Sequence, residues 1–157
     1  MGRETMQDFS IRTFRPDDTT GVIDLWRECG LIVPWNNPRT DIRRKYADSA
    51  QLFFVGELDD QLVASCMAGY DGHRGWIYYL AVKNSQRRKG LASILVRHVE
   101  EELVKLGCPK VELMVRETNH KVISFYNSIG FDPDPVIVLS KRLSEDEKHD
   151  FGNASTV

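Results

Sequence analysis

The hydrophobic period of this chain changes twice between residues 76 and 115, and that change limits the folds open to it. Residues 76–82 form a β-rich run. Leu91, Ile94, Leu95, Val99, Leu103 and Leu106 then recur at helical spacing, and Gly107 is placed to close the helix. Val111, Leu113 and Val115 alternate again, as a strand. A helix over 91–106 would be about 25 Å long, and a strand–helix–strand unit within one sheet crosses over right-handed.

What precedes this unit reads as antiparallel. Residues 9–14 alternate, with Phe9, Ile11 and Thr13 on one face, until Arg15-Pro16-Asp17-Asp18 breaks the strand. Asp17 or Asp18 is a suitable N-cap for a helix carrying Val22, Ile23, Leu25, Trp26 and Cys29, and Gly30 ends it. Two prolines and two asparagines keep 31–38 irregular, and a short helix over 40–48 follows. Strands at 52–58 and 61–70 flank the turn Asp59-Asp60, and 71–75 leads into the next strand. Beyond residue 115 the pattern predicts a short helix over 122–129, closed by Gly130, and a last strand at 135–139. The expected order is β-α-α-β-β-β-α-β-α-β, an α+β fold with a mixed central sheet flanked by helices. One domain spans 9–143, residues 1–8 form a flexible extension, and the polar 144–157 form a disordered tail.

Composition narrows the function. At 157 residues, 41% hydrophobic and 28% charged, the chain can bury a real core. A net charge of −2 argues against a nucleic-acid binder, which needs many phosphate-neutralising cations. Cys29, Cys66 and Cys108 show neither CxxC spacing nor a nearby histidine; they read as buried free thiols of a reducing cytoplasm, with no metal site. No stretch reaches the roughly 20 apolar residues of a membrane span. The expectation is a cytoplasmic protein without membrane or nucleic-acid partners, as monomer or homodimer.

The segment Val82-Lys83-Asn84-Ser85-Gln86-Arg87-Arg88-Lys89-Gly90-Leu91-Ala92-Ser93 joins a strand to the start of the long helix. The first turn of a helix leaves N–H groups unpaired at the positive end of its dipole, where an anion binds. Gly90 and Ala92 keep that approach clear, and Arg87, Arg88 and Lys89 add charge. Cations are unfavourable at a helix N-terminus, so their clustering there points to a ligand, a pyrophosphate. The segment lacks the GKS/T of a P-loop and the three glycines of a dinucleotide fingerprint.

Arg87-Arg88-Lys89-Gly90-Leu91-Ala92 resembles the Arg/Gln-x-x-Gly-x-Gly/Ala signature of the GNAT superfamily of N-acetyltransferases, which lies between the fourth strand and third helix. Tyr79-Leu80-Ala81-Val82 upstream, Asn119 at the next helix and Tyr126-Asn127-Ser128-Ile129-Gly130-Phe131 fit the same resemblance, which extends over about residues 9–143. Pro34-Trp35-Asn36-Asn37-Pro38 and the run 69–75 are similar to a small bacterial, YpeA-like branch. The resemblance implies acetyl-CoA as co-substrate and an amine as acceptor. It implies that the backbone of Leu80, Ala81 and Val82 lines the pantetheine arm, that Arg87, Arg88, Lys89, Gly90, Leu91, Ala92 and Ser93 hold the pyrophosphate, and that Asn119 touches the arm. Tyr126 would stand beside the sulfur as general acid. From the residues alone, Asn119 is an N-cap and Tyr126 a packing residue.

One member of the expected machinery is missing. Ribosomal-protein N-acetyltransferases of this superfamily carry Leu-Glu-Val-Arg on the fifth strand, with the glutamate as base; here the run is Leu113-Met114-Val115-Arg116. Glu112 and Glu117 flank it as ordinary charges. A lysine ε-amine is neutral in about 1 molecule in 2,500 at pH 7, an α-amine in roughly one in seven. A site without a dedicated carboxylate suits an α-amine of a small metabolite or peptide, its recognition falling to 31–41 and 71–75. A non-catalytic acyl-CoA sensor is the alternative, though a sensor needs only the cradle.

Overall fold

The computed structural model describes residues 8–146. Its elements are β1 (Phe9–Thr13), α1 (Thr19–Glu28), α2 (Pro38–Ser49), β2 (Phe53–Leu58), β3 (Gln61–Tyr70), β4 (Gly75–Val82), α3 (Leu91–Lys105), β5 (Val111–Glu112) and α4 (His120–Ser128). Of the terminal segments expected to be frayed, all but Asp8 and residues 144–146 lie outside the described residues.

The five strands lie in sequence order across one sheet. β1 to β4 are antiparallel neighbours, and β4 pairs with β5 in parallel, so the sheet is mixed. β2 and β3 are buried on both faces, which is why they read as nearly unbroken apolar runs. Phe54, Ala64, Cys66, Ala68 and Ile77 face Leu95, Val96, Val99 and Leu103 of α3 and Tyr126 of α4. Phe53, Val55, Met67 and Ala81 face Val22, Ile23, Leu25 and Trp26 of α1 and Ile42 of α2. Gly75 lets α3 approach: a Cβ there would stand 2.9 Å from both Cys108 Sγ and Leu103 Cδ1.

Four expectations change. The strand expected to carry Val111, Leu113 and Val115 keeps only Val111–Glu112, since its pairing with β4 ends at Trp76. The second helix starts at Pro38, not 40, because the Asn37 side chain accepts hydrogen bonds from the N–H groups of Arg39 and Thr40, and proline suits the first helical position. Asp18 precedes α1 but does not cap it with its side chain, which instead binds Arg12 (2.7 Å) and the Arg15 N–H. The last strand expected at 135–139 is not formed: Val136, Ile137, Val138 and Leu139 are 72, 83, 64 and 86% exposed. Pro133 and Pro135 remove two donors at its entry. β5, which would have to receive it, is only two residues long. The cysteines are all free; Cys66 is buried, Cys29 and Cys108 half-buried.

Candidate active site along the fourth strand

The centre of the molecule is an irregularity in β4. Tyr79 has φ +52°, a left-handed conformation in mid-strand, and the register with β3 slips between Ser65 and Met67. The bulge reverses the alternation of side chains. Ile77 packs toward α3, yet Tyr79 and Ala81, two and four residues on, pack toward α1 and α2, while Leu80 and Val82 turn toward α3. A bulge bends its strand. Pairing between β4 and β5 accordingly stops at Trp76–Glu112, and β4 runs on to Val82 with no strand partner on its outer edge among the described residues.

That edge carries the residues expected to meet the pantetheine arm. Lys83 N–H donates to Val63 O on β3 (2.7 Å), so by alternation Ala81 directs its backbone toward β3, and Leu80 and Val82 direct theirs to the open side. Val82 O accepts from the Cys29 thiol at 3.3 Å and from Arg87 Nε at 3.5 Å. Ala81 itself is a core side chain.

The loop after β4 presents its charges outward. Arg87, Arg88, Lys89 and Gly90 are exposed, Ala92 and Ser93 half-buried, and Leu91 is a core side chain whose contribution to a ligand is limited to its backbone. Arg88 and Gly90 have φ +66° and +75°, and Gly90 is the N-cap of α3 with no side-chain cap. The first in-helix bond is Ile94 N–H to Gly90 O (3.1 Å), leaving the N–H groups of Leu91, Ala92 and Ser93 without helical acceptors. A Cβ on Gly90 would meet nothing within 4 Å, so its space opens outward. Three N–H groups without an acceptor among the described residues, an open approach and three cations fit a phosphate group. Lys89 rests on Gln86 Oε1 (2.7 Å), and Glu28 accepts from Asn84 N–H (2.7 Å), bracing the loop against α1.

Tyr126 stands on the α3 side of the sheet, 7% exposed, its ring edge-on to Phe125 and Phe131. Among the described residues its hydroxyl has no hydrogen-bond partner. Burial, with the Cys66 thiol nearby, pushes its ionisation well above the usual tyrosine range; burial lifts Cys66 to about 12. A neutral phenol is therefore a hydrogen-bond donor. Asn119 caps α4, its side chain accepting from Val122 N–H at 3.4 Å. Among the flanking carboxylates, Glu112 is tied to Lys110 (3.3 Å) and Arg74 (3.8 Å), and Met114 is half-exposed.

The opposite face of β4 holds a pairing that the sequence reading did not foresee, although Asp41 closes the expected acceptor segment 31–41. A pocket of about 390 Å³ is lined by Leu31, Asn36, Asp41, Met67, Tyr78 and Tyr79. Tyr79 lies flat on the buried Trp26 ring (centroids 3.9 Å apart, planes at 11°) and donates from its hydroxyl to Asp41 Oδ2 at 2.6 Å. Trp26 is held in turn by its Nε1–H on Ser65 Oγ (2.9 Å). Burial raises Asp41 above the usual carboxylate range, against the Tyr79 hydrogen bond that lowers it. Burial also raises Tyr79, and Asp41 adds to it. In sequence Asp41 was the last residue of the expected acceptor segment and Tyr79 the first of the run 79–82, with nothing to pair them; only the bulge turns them toward each other. Among the expected acceptor segments, 31–41 supplies three of the six lining residues, and 71–75 none.

The sequence profile of the Acetyltransferase (GNAT) family matches residues 19–131, from α1 through the end of α4. This chain belongs to the GNAT acetyltransferase family. An acetyltransferase of Pectobacterium atrosepticum is 46% identical over 139 residues, 88% of this chain and 99% of that protein. Another, from Sodalis glossinidius, is 46% identical over 140 residues with the same shares covered. The fold is similar to that of Ard1 from Thermoplasma volcanium (TM-score 0.71, 23% identity, 79% of this chain and 82% of that one). It is also similar to an aminoglycoside acetyltransferase from an uncultured soil metagenomic sample (TM-score 0.67, 18% identity, 87% and 97%). The chain is thus an acyltransferase of a family that uses acetyl-CoA. Among the described residues no helix is long and apolar enough to cross a membrane, and no group of three or more His, Cys, Asp or Glu could hold a metal ion.

Proposed function

We propose that this acetyltransferase moves the acetyl group of acetyl-CoA to a primary amine by direct attack on the thioester. The observation that carries the reading is the bare edge of β4, bordered by the open N-terminus of α3 and lying between Tyr126 on one face and the Asp41 pocket on the other.

Each group has a task that its chemistry supports. The N–H groups of Leu91, Ala92 and Ser93, with Arg87, Arg88 and Lys89, would take the pyrophosphate. The outward backbone of Leu80 and Val82 would align the pantetheine amides, and an N–H there would stabilise oxyanion charge on the thioester carbonyl. Asn119, at the start of α4, would touch the arm. The amine nitrogen forms the new C–N bond, the C–S bond breaks, and the nitrogen releases its proton to water. With Tyr126 raised by burial, a hydrogen bond from its hydroxyl to the departing sulfur is better supported than outright proton transfer. Met114 replaces the family glutamate, and Glu112 is engaged in ion pairs, so an amine already neutral in useful amount is the fitting nucleophile. This favours an α-amine of a small metabolite or peptide.

Thiol release from acetyl-CoA with a panel of amines, paired with calorimetry of CoA binding, tests the reading. Turnover with at least one amine is expected, with CoA affinity reduced about ten-fold or more in Gly90→Glu, whose side chain needs φ +75° and fills the phosphate approach. CoA binding without turnover on any amine would favour the acyl-CoA sensor. Absence of CoA binding would overturn the assignment of the loop.

A further inference from the structure

We propose that the acceptor is a small dibasic amine, whose second, cationic nitrogen rests on Asp41 while its neutral amine meets the acetyl group; this rests on the acetyl-transfer reading above. The walls around Asp41 are Leu31, Met67 and the rings of Tyr78 and Tyr79, and its polar neighbour in the pocket is Asn36. One carboxylate among aromatic and aliphatic walls is the constellation that receives an organic cation. A free carboxylate on a ligand would be repelled there by Asp41.

Position decides which nitrogen Asp41 holds. Tyr79 spans from the β4 bulge to the carboxylate, its hydroxyl 2.6 Å from Oδ2. Asp41 therefore stands a full tyrosine side chain away from the strand edge where the thioester would lie. It is too remote to receive the attacking nitrogen, which must in any case be uncharged. It can receive a second nitrogen on the same small molecule.

The surrounding charges leave room for such a partner. Arg44 reaches Oδ1 of Asp41 only at 3.5 Å and is exposed, while its close contact, 2.6 Å, is with Asp146. Asp146 repels Asp41, and Arg142 attracts it from a distance. Tyr78 and Tyr79, the two tyrosines that line the pocket with it, are both raised by burial and stay neutral. Folding raises Asp41's proton affinity, chiefly through burial. Its ionised form thus lowers stability once pH exceeds its folded pKa, a sacrifice that a bound ammonium ion would offset.

Lysinamide and norleucinamide, which share an α-amine and differ in the side-chain cation, form the test. In the wild type, α-acetylation of lysinamide is expected to exceed that of norleucinamide by about ten-fold in kcat/KM. Asp41→Asn should bring the ratio near one by raising the KM for lysinamide, and Asp41→Glu should restore part of it. CoA affinity and Tm report that each variant is folded. The preference should also weaken as pH falls through the Asp41 pKa. Equal use of the two amides by the wild type, or a preference that survives Asp41→Asn, would overturn the proposal. If neither amide turns over, calorimetry of both on the CoA-loaded protein makes the same comparison, and no binding of lysinamide overturns it too. Thiol release with other amines would in that event leave the acetyl-transfer reading standing, whereas loss of CoA binding would remove that reading itself.

Discussion

Tyr79 shows how one residue's conformation organises two sites. Its φ of +52° places its ring on Trp26 and its hydroxyl on Asp41, and the same bulge turns the backbone of Leu80 and Val82 to the open edge. A non-glycine residue held in the left-handed region costs of order 1–3 kcal/mol, and such strain gathers at functional sites. Trp26 and Ser65, both fully buried and hydrogen-bonded to each other, supply the rigid floor. Tyr126 carries the prediction at this scale. Burial raises its pKa, so the folded state holds its proton to higher pH than the unfolded chain does. Its contribution to stability is complete below the unfolded pKa of about 10 and is lost as pH rises through the higher folded value. An ultraviolet difference titration should show no phenolate at Tyr126 at pH 10, judged against Tyr126→Phe. The same substitution should reduce kcat about ten-fold, the worth of a hydrogen bond to a charged sulfur. An unchanged kcat with saturating substrates would remove Tyr126 from the chemistry.

At the scale of elements, the start of α2 matters more than its composition suggests. α2 is polar, with Pro38 and Ile42 its only buried residues, so packing alone holds it weakly. Asn37 supplies what is missing by accepting from two N–H groups of the first turn, and its own N–H donates to Asp146 at 3.0 Å. Asp41 sits one turn further on, so the cap also positions the pocket. Asn37→Ala should lower stability by about 1 kcal/mol, typical of a lost N-cap, and Tm by about 2–4 °C for a chain of this size. Scanning calorimetry reads the Tm, and a larger relative effect on acceptor KM than on the KM for acetyl-CoA would locate the damage. β5 makes the complementary point. Leu113 and Val115 have the alternation of a strand, yet the ladder ends at Glu112 because β4 bends away at its bulge. Alternation states which face a residue would take; it does not state whether a neighbouring strand is within reach.

Over the whole molecule, charge is arranged rather than abundant. The chain carries a net −2, yet Arg87, Arg88 and Lys89 stand together and exposed just before the start of α3. Attraction of a polyphosphate to this patch is a surface interaction, screened over about 10 Å at 0.1 M salt. The KM for acetyl-CoA should therefore rise several-fold between 0.05 and 0.5 M salt in wild type, and rise less in Arg88→Ala. A KM independent of salt would place the phosphates elsewhere. Period and punctuation by themselves determined the α+β class, the hairpin at Asp59-Asp60, the helix after Gly90 and the basic loop before it, since these depend on residues close in sequence. The matched family extended that reading along most of the chain. Tertiary structure alone decided the bulge at Tyr79, the early end of β5, the unpaired 135–139 and the meeting of Tyr79 with Asp41 across 38 residues. Each of these depends on what a distant segment offers as a hydrogen-bond partner or a packing surface, and local pattern carries no record of that.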